Sequence, residues 1–129
     1  MPSRRDAITL TDAERRAFLD GEKTVILCSN GANGHPHPMP MWFVRDAEDR
    51  VWCTTFAKAQ KVVNLERDPR ATLLVETGLE YAELKGLVIY ARTDVVDDYE
   101  TVLETLTAIA TKGQQPSEAD LKLIRDGVI

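Results

Sequence analysis

Three prolines at alternate positions, Pro36, Pro38 and Pro40, lie inside the otherwise strand-like run His35-Pro-His-Pro-Met-Pro-Met-Trp-Phe-Val. In a strand, the N–H and C=O of one residue point to the same side, and that side alternates along the chain. Proline has no N–H. One side of this strand is therefore stripped of donors, while residues 37, 39, 41 and 43 can still pair on the other. Such a segment must be a sheet edge, or face a gap or a ligand. It reads either as an edge protected against aggregation or as a gap where a flat ligand docks against backbone.

The neighbouring segments read as a small antiparallel β domain with peripheral helices. Thr11 caps a first helix, with Glu14 completing a capping box and Gly21 ending it. Leu10, Ala13, Ala17 and Phe18 supply its apolar spacing. Strands are expected at 24–29, 35–45, 51–56, 71–76 and 81–96, the last bent at Gly86. Asn30-Gly-Ala-Asn-Gly, Asp46-Ala-Glu-Asp and Thr77-Gly78 are the turns between them. A polar helix is expected at 59–66 with Val62, Val63 and Leu65 as its stripe, stopped by Asp68-Pro69. A longer helix follows from Asp97 to Lys112, with Val102, Leu103, Leu106, Ile109 and Ala110 facing the core. Ser117 opens a short last helix, with Leu121 and Ile124 apolar. Short connections make sequential strands antiparallel neighbours.

Size and charge bound what such a chain can do. At 129 residues it is expected to be one domain, spanning 1–129. A fold of this length buries only about two-thirds of its surface. A sizeable ligand should therefore lie on its surface or between two copies. The net charge of −5 argues against general nucleic-acid binding. Apolar runs of about five residues, well short of the roughly 20 that span a bilayer, argue against a membrane protein. No apolar stretch follows the basic start Met1-Pro-Ser-Arg-Arg, so a cytoplasmic location is expected. Cys28 and Cys53 sit in apolar runs and read as buried free thiols. His35 and His37 share a face of an extended segment, but no cysteine or carboxylate joins them at ligand spacing, and no metal site is expected.

A second segment carries chemistry: Thr54-Thr-Phe-Ala-Lys-Ala-Gln-Lys-Val-Val-Asn, which runs from a strand end into a helix. Thr54 and Thr55 offer hydroxyls, and Gln60 an amide. Lys58 and Lys61 are three apart and project from one side of the first turn. Lysines oppose the helix dipole there, yet a helix N-terminus with lysines suits a phosphate. The plainer reading is a solvated basic face. Neither a P-loop nor a G-x-G-x-x-G fingerprint occurs. There is also no G-x-S-x-G and no acid–base or nucleophile constellation. Glu76, Glu80 and Glu83 read as solvated strand-end and loop carboxylates. A cofactor could then supply the chemistry while the protein orients it.

Gly34-His-Pro-His-Pro-Met-Pro-Met-Trp-Phe-Val, Val51-Trp-Cys-Thr-Thr-Phe and Lys58-Ala-Gln-Lys-Val-Val-Asn-Leu-Glu-Arg-Asp-Pro-Arg-Ala together resemble the pyridoxamine 5′-phosphate oxidase-like family of FMN-binding split barrels. The likeness runs over about residues 12–112 and is closer to the actinobacterial flavin/deazaflavin oxidoreductases, some of which use coenzyme F420. Tyr81-Ala-Glu-Leu-Lys-Gly-Leu-Val-Ile and Ala91-Arg-Thr-Asp-Val-Val-Asp-Asp resemble that branch too. The resemblance implies an antiparallel split β-barrel, homodimeric, with FMN or alternatively F420 at the interface. Lys61 matches the phosphate-holding lysine. Gln60 stands where the oxidase often has arginine, and Lys58 could replace that charge. Thr54 and Thr55 match hydroxyls near the phosphate or ribityl chain. Pro40, Met41, Trp42 and Phe43 match the stretch whose backbone lies against the ring.

The implied activity is hydride transfer between the cofactor ring and a small unsaturated substrate. The alternative is a non-catalytic carrier of flavin, F420 or haem, the last with His35 or His37 as ligand. A structural dimer with a degenerate site is a third reading. The residues that hold the vitamin B6 substrate are not recognisable, so that oxidation is not expected. The branch usually ends with a further strand, which Leu121-Lys-Leu-Ile-Arg-Asp-Gly-Val-Ile does not resemble.

Overall fold

Alternating burial along the second element of the chain sets the frame for the rest. The computed structural model describes residues 9–113, 117–119 and 122. The expected final helix from Ser117 and any closing strand fall largely outside them. The elements run α1 (Asp12–Gly21), β1 (Thr24–Asn30), β2 (Pro36–Arg45), β3 (Val51–Cys53), α2 (Gln60–Arg67), β4 (Arg70–Thr77), β5 (Lys85–Arg92) and α3 (Tyr99–Ala110). All strand pairs are antiparallel, in the order β3-β2-β1-β4-β5. The sheet curls into a half-barrel with the helices at its periphery, as the split-barrel expectation required.

Register divides the sheet into two faces. On the inner face Val25, Leu27 and Ser29 are buried, and Met41, Met39 and His37 stand opposite them. Phe43, Leu73 and Val75 extend this surface, and Phe18 and Leu19 of α1 close over it. The outer face carries Pro40, Ile26, Leu74 and Val88 as one continuous row across four strands. The next row is Pro38, Cys28, Thr72 and Tyr90.

The ends of the elements follow local chemistry. Thr11 and Glu14 form the expected box, Oγ1 accepting from Glu14 N at 3.2 Å and Oε1 from Thr11 N at 2.9 Å. The inward face of α1 is Phe18 and Leu19, whereas Ala13 and Ala17 are exposed. At the β2–β3 turn the Asp46 carboxylate accepts from the N–H groups of Glu48 and Arg50, both at 2.9 Å, and from Trp52 Nε1 at 2.8 Å. That lets Asp49 take a left-handed φ of 64°, which a short polar side chain tolerates. Asp49 in turn binds Arg16 and Arg45, tying α1 to the turn.

Three expectations need correction. The third strand ends at Cys53 rather than Phe56. Phe43 N donates to Lys23 O, so the even-numbered groups of β2 face β3. Beyond Trp42 the next donor on that side would be Pro40, which has none, and the ladder stops. The fifth strand spans eight residues, not sixteen, because β4 offers partners only from Thr77 back to Arg70. Tyr81–Glu83 instead forms a 3-10 turn, and Thr93 N donates to Pro69 O at 2.7 Å. In α3 the buried positions are Thr105 and Ile109, and Ala110 is exposed. Thr105 is satisfied internally, its hydroxyl donating to Thr101 O at 2.8 Å. Cys28 and Cys53 are free thiols, as expected, but half-buried.

Lys112, just past α3, locks three elements. Its Nζ donates to Leu19 O at 2.9 Å, to Phe43 O at 3.1 Å and to Glu22 O. It also lies 3.7 Å from the centre of the Phe43 ring. Leu19 O and Glu22 O are carbonyls at the end of α1, where helical partners run out. Burial lowers the Lys112 pKa, and the charges of Asp20, Glu22 and Cys53 pull it back up.

Candidate functional site

The outer side of β2 from Pro36 to Trp42 has no strand beside it, since β3 pairs only with Phe43–Arg45. This is the edge that the proline spacing demanded. Its backbone presents the carbonyls of Pro36, Pro38 and Pro40 without a donor between them. Pro40 and Trp42 point to the open face of the sheet, and Trp42 is 56% exposed. Lys23 Nζ sits 4.1 Å from the centre of the Trp42 ring. Met41 points inward and packs against the core, so its backbone alone can meet a ligand.

Extending the β2–β3 register by one step sets Thr54 opposite Trp42. From there the chain turns through Thr55, Phe56 and Lys58, all exposed, into α2. Ala59 is the N-cap and has no side chain to offer the first N–H groups, and the first turn of α2 holds no acid. The other two helices are each capped by an oxygen side chain, Thr11 or Asp98, with acid in the first turn. Lys58 and Lys61 make no ion pair among the described residues. Uncapped N–H groups, a helix dipole and two free ammonium groups together make an anion-attracting corner.

The Gln60 amide is held along the helix. Its Nε2 donates to Asn64 Oδ1 at 2.8 Å, and Asn64 Nδ2 donates to Ser29 Oγ at 3.1 Å. Asn64 is fully buried, so this chain of amides fixes the roll of α2 against β1. The sequence reading missed Asn64 and took Val63 as core, although Val63 is 49% exposed. The available signal was the i, i+4 spacing of Gln60 and Asn64, a pair that hydrogen-bonds along a helix. Burial pushes the Cys53 thiol up to about 11, against the opposing charges of Lys112 and Lys61. His35 is exposed, and His37 Nδ1 is buried with no hydrogen-bond partner among the described residues. No group of three metal-ligating side chains occurs among the described residues. No helix there is long and apolar enough to cross a membrane.

The family described as pyridoxamine 5′-phosphate oxidase matches residues 11–126. The chain belongs to this family. Members of the pyridoxamine 5′-phosphate oxidase family commonly bind flavin and are often dimeric. Among solved structures, a conserved hypothetical protein from Mycobacterium tuberculosis is 30% identical, with a TM-score of 0.84 over 93% of this chain and 74% of that one. The haem storage protein of Vibrio cholerae is 21% identical, with a TM-score of 0.64 over 93% and 82%. A candidate 5-nitroimidazole antibiotic resistance protein from Bacteroides thetaiotaomicron is 16% identical, with a TM-score of 0.68 over 89% and 76%. The last two likenesses concern the fold alone. Comparison with curated proteins gives no match.

Proposed function

We propose that this member of the pyridoxamine 5′-phosphate oxidase family is a single-domain oxidoreductase that binds FMN, or alternatively F420, and reduces or oxidises a small unsaturated substrate. The observation that carries the reading is the uncapped start of α2, with Lys58 and Lys61 unpaired beside the donor-free edge of β2. The donor set fits the cofactor at both ends. Lys61, Lys58 and the first N–H groups of α2 suit a phosphate. Thr54 and Thr55 suit a polyol chain, and the carbonyls beside Pro40 and Trp42 suit the N–H of a flat ring. Gln60, held by Asn64, stands beside the phosphate corner. When bound, the flavin or deazaflavin supplies hydride transfer at the centre of its ring.

The chain's own part is to clamp, orient and keep water out. Pro40, Met41 and Trp42 form a rigid wall, because proline fixes φ and Met41 is anchored in the core. The apolar outer row of Pro40, Ile26, Leu74 and Val88 favours burial against a second copy. A homodimer would then put the site between protomers, as suits a fold too small for a deep pocket.

The test is a parallel titration of the chain with FMN, FAD and F420, following fluorescence and melting temperature. A phosphate clamp at Lys61 predicts that Lys61→Ala weakens binding about tenfold or more, the scale of one lost charged hydrogen bond. Equal affinity in that variant rejects the clamp. Silence with all three cofactors rejects the whole reading. A cofactor that binds but is never reduced or reoxidised moves it to a carrier.

A further inference from the structure

We propose that Lys23, held on the ring of Trp42, is the charge partner of the cofactor ring and makes the site bind reduced FMN more tightly than oxidised FMN. This inference rests on the cofactor reading above and adds to it the redox preference of the site. Lys23 stands just before β1 and is exposed. Two contacts fix it. Its carbonyl accepts from Phe43 N at 3.3 Å, and its Nζ lies 4.1 Å from the centre of the Trp42 ring. The carbonyl before it, that of Glu22, is held by Lys112 Nζ. An ammonium over an indole face is attracted by the ring quadrupole, so the charge is kept at a set place instead of swinging into solvent.

That place is the end of the donor-free edge. Thr24, next to Lys23, pairs with Trp42, and the extended β2–β3 register sets Thr54 on the other side of Trp42. Pro40 lies two residues along β2 on the same face, about 7 Å away at strand spacing. A flat ring lying along Pro40 and Trp42 therefore has the Lys23 ammonium beside it. Lys23 makes no ion pair among the described residues.

Counting charges assigns the roles. A phosphate monoester carries about two negative charges at neutral pH, and Lys58 and Lys61 match them. Lys23 is then left over, one positive charge without a partner in a chain of net charge −5. The oxidised flavin ring is neutral. Taking up a hydride from the substrate, two electrons with one proton, leaves the ring with one negative charge. A fixed cation beside the ring favours that charged form over the neutral one, and does so more strongly in a site closed from water by a second copy. The phosphate keeps its charge in this step, so Lys58 and Lys61 hold both forms equally.

The experiment measures the midpoint potential of the FMN-loaded chain, by dithionite reduction beside a reference dye at fixed pH, together with the Kd for oxidised FMN. Lys23→Met should leave the oxidised Kd within about twofold and weaken reduced FMN about tenfold, the scale of one charge-assisted contact. Tenfold corresponds to a fall of about 30 mV in the midpoint potential of a two-electron couple. Lys23→Arg, which keeps the charge, should restore the wild-type potential. Lys61→Ala should weaken both forms alike, so its potential should not move. An unchanged potential in Lys23→Met, or an equal fall in Lys23→Arg, would overturn the inference and leave the cofactor reading in place. So would an equal loss of affinity for oxidised and reduced FMN in Lys23→Met, the mark of a contact indifferent to charge on the ring. A wild-type chain that does not bind FMN overturns the inference as well, and the F420 titration then decides the cofactor reading by itself.

Discussion

Replacing Lys112 with methionine keeps the apolar stem on the Phe43 ring and removes only the ammonium. Three backbone carbonyls then lose their donor, those of Leu19, Glu22 and Phe43. Hydrogen bonds to a charged group contribute about 1.5 kcal/mol each at the low end, or roughly 4.5 kcal/mol for three. Partial burial of the ammonium, which lowers its pKa, opposes this by about 1–2 kcal/mol. The net loss is about 3 kcal/mol. For a chain of this length about 4 °C of melting temperature accompanies each kcal/mol, so Tm should fall by about 12 °C. Urea unfolding should show the same loss with an unchanged m-value, since the surface exposed on unfolding is nearly the same. A fall of less than about 3 °C would refute the reasoning, because it would mean that water replaces the ammonium at all three carbonyls at no cost.

Other outcomes follow from the same geometry. Asn64→Ala should cost about 2–3 kcal/mol in chemical unfolding, by opening a small cavity and leaving Ser29 and Gln60 without their shared partner. Acid should destabilise the protein in a defined window. Asp46 is held below the carboxylate range first by Trp52, Asp68 by Arg70, Asp49 by Arg16 and Asp20 by Arg45. Folded-state pKa values below the unfolded ones mean that this stability is fully present above the unfolded value of about 4 and is lost as pH falls through the folded values. Melting temperature measured against pH should therefore be level above about pH 5 and drop below pH 4; a drop on the alkaline side of that range instead would contradict the assignments. With its pKa pushed up to about 11, the Cys53 thiol should alkylate slowly at neutral pH. Cys28, half-buried on the outer sheet face, should label first in a timed iodoacetamide reaction read by peptide mass.

Legibility from sequence varied with how local the cause was. The proline edge was readable because donor parity depends on three residues alone. The capping box at Thr11 and Glu14 was readable for the same reason. The early end of β3 required the same parity rule applied to its partner, and Thr54-Thr-Phe is β-prone enough to hide it. The length of β5 is dictated by β4, some fifteen residues earlier, and no property of Tyr81–Leu84 announces a 3-10 turn. In the candidate site, the pairing of lysines with a helix start was visible in the spacing. The missing cap at Ala59 became meaningful only beside the capped starts of the other two helices. The role of Lys112 depends on contacts between distant segments, which spacing does not encode.

The strand order has a kinetic consequence. β1 with β2, and β4 with β5, are hairpins of neighbouring segments that close short loops. The seam between them, Ile26 to Leu74 and Leu27 to Leu73, must bring together residues nearly fifty apart. Closing so long a loop is an entropic barrier that local pairing does not meet. The two hairpins and α2 can therefore form early, and their docking along the β1–β4 seam is the slow event. Truncating Leu27 or Leu73 should slow folding, whereas truncating Val88 in the outer hairpin should chiefly speed unfolding. The half-barrel is in this sense two preformed leaves and a hinge line, and its rate of assembly is set by the central strand.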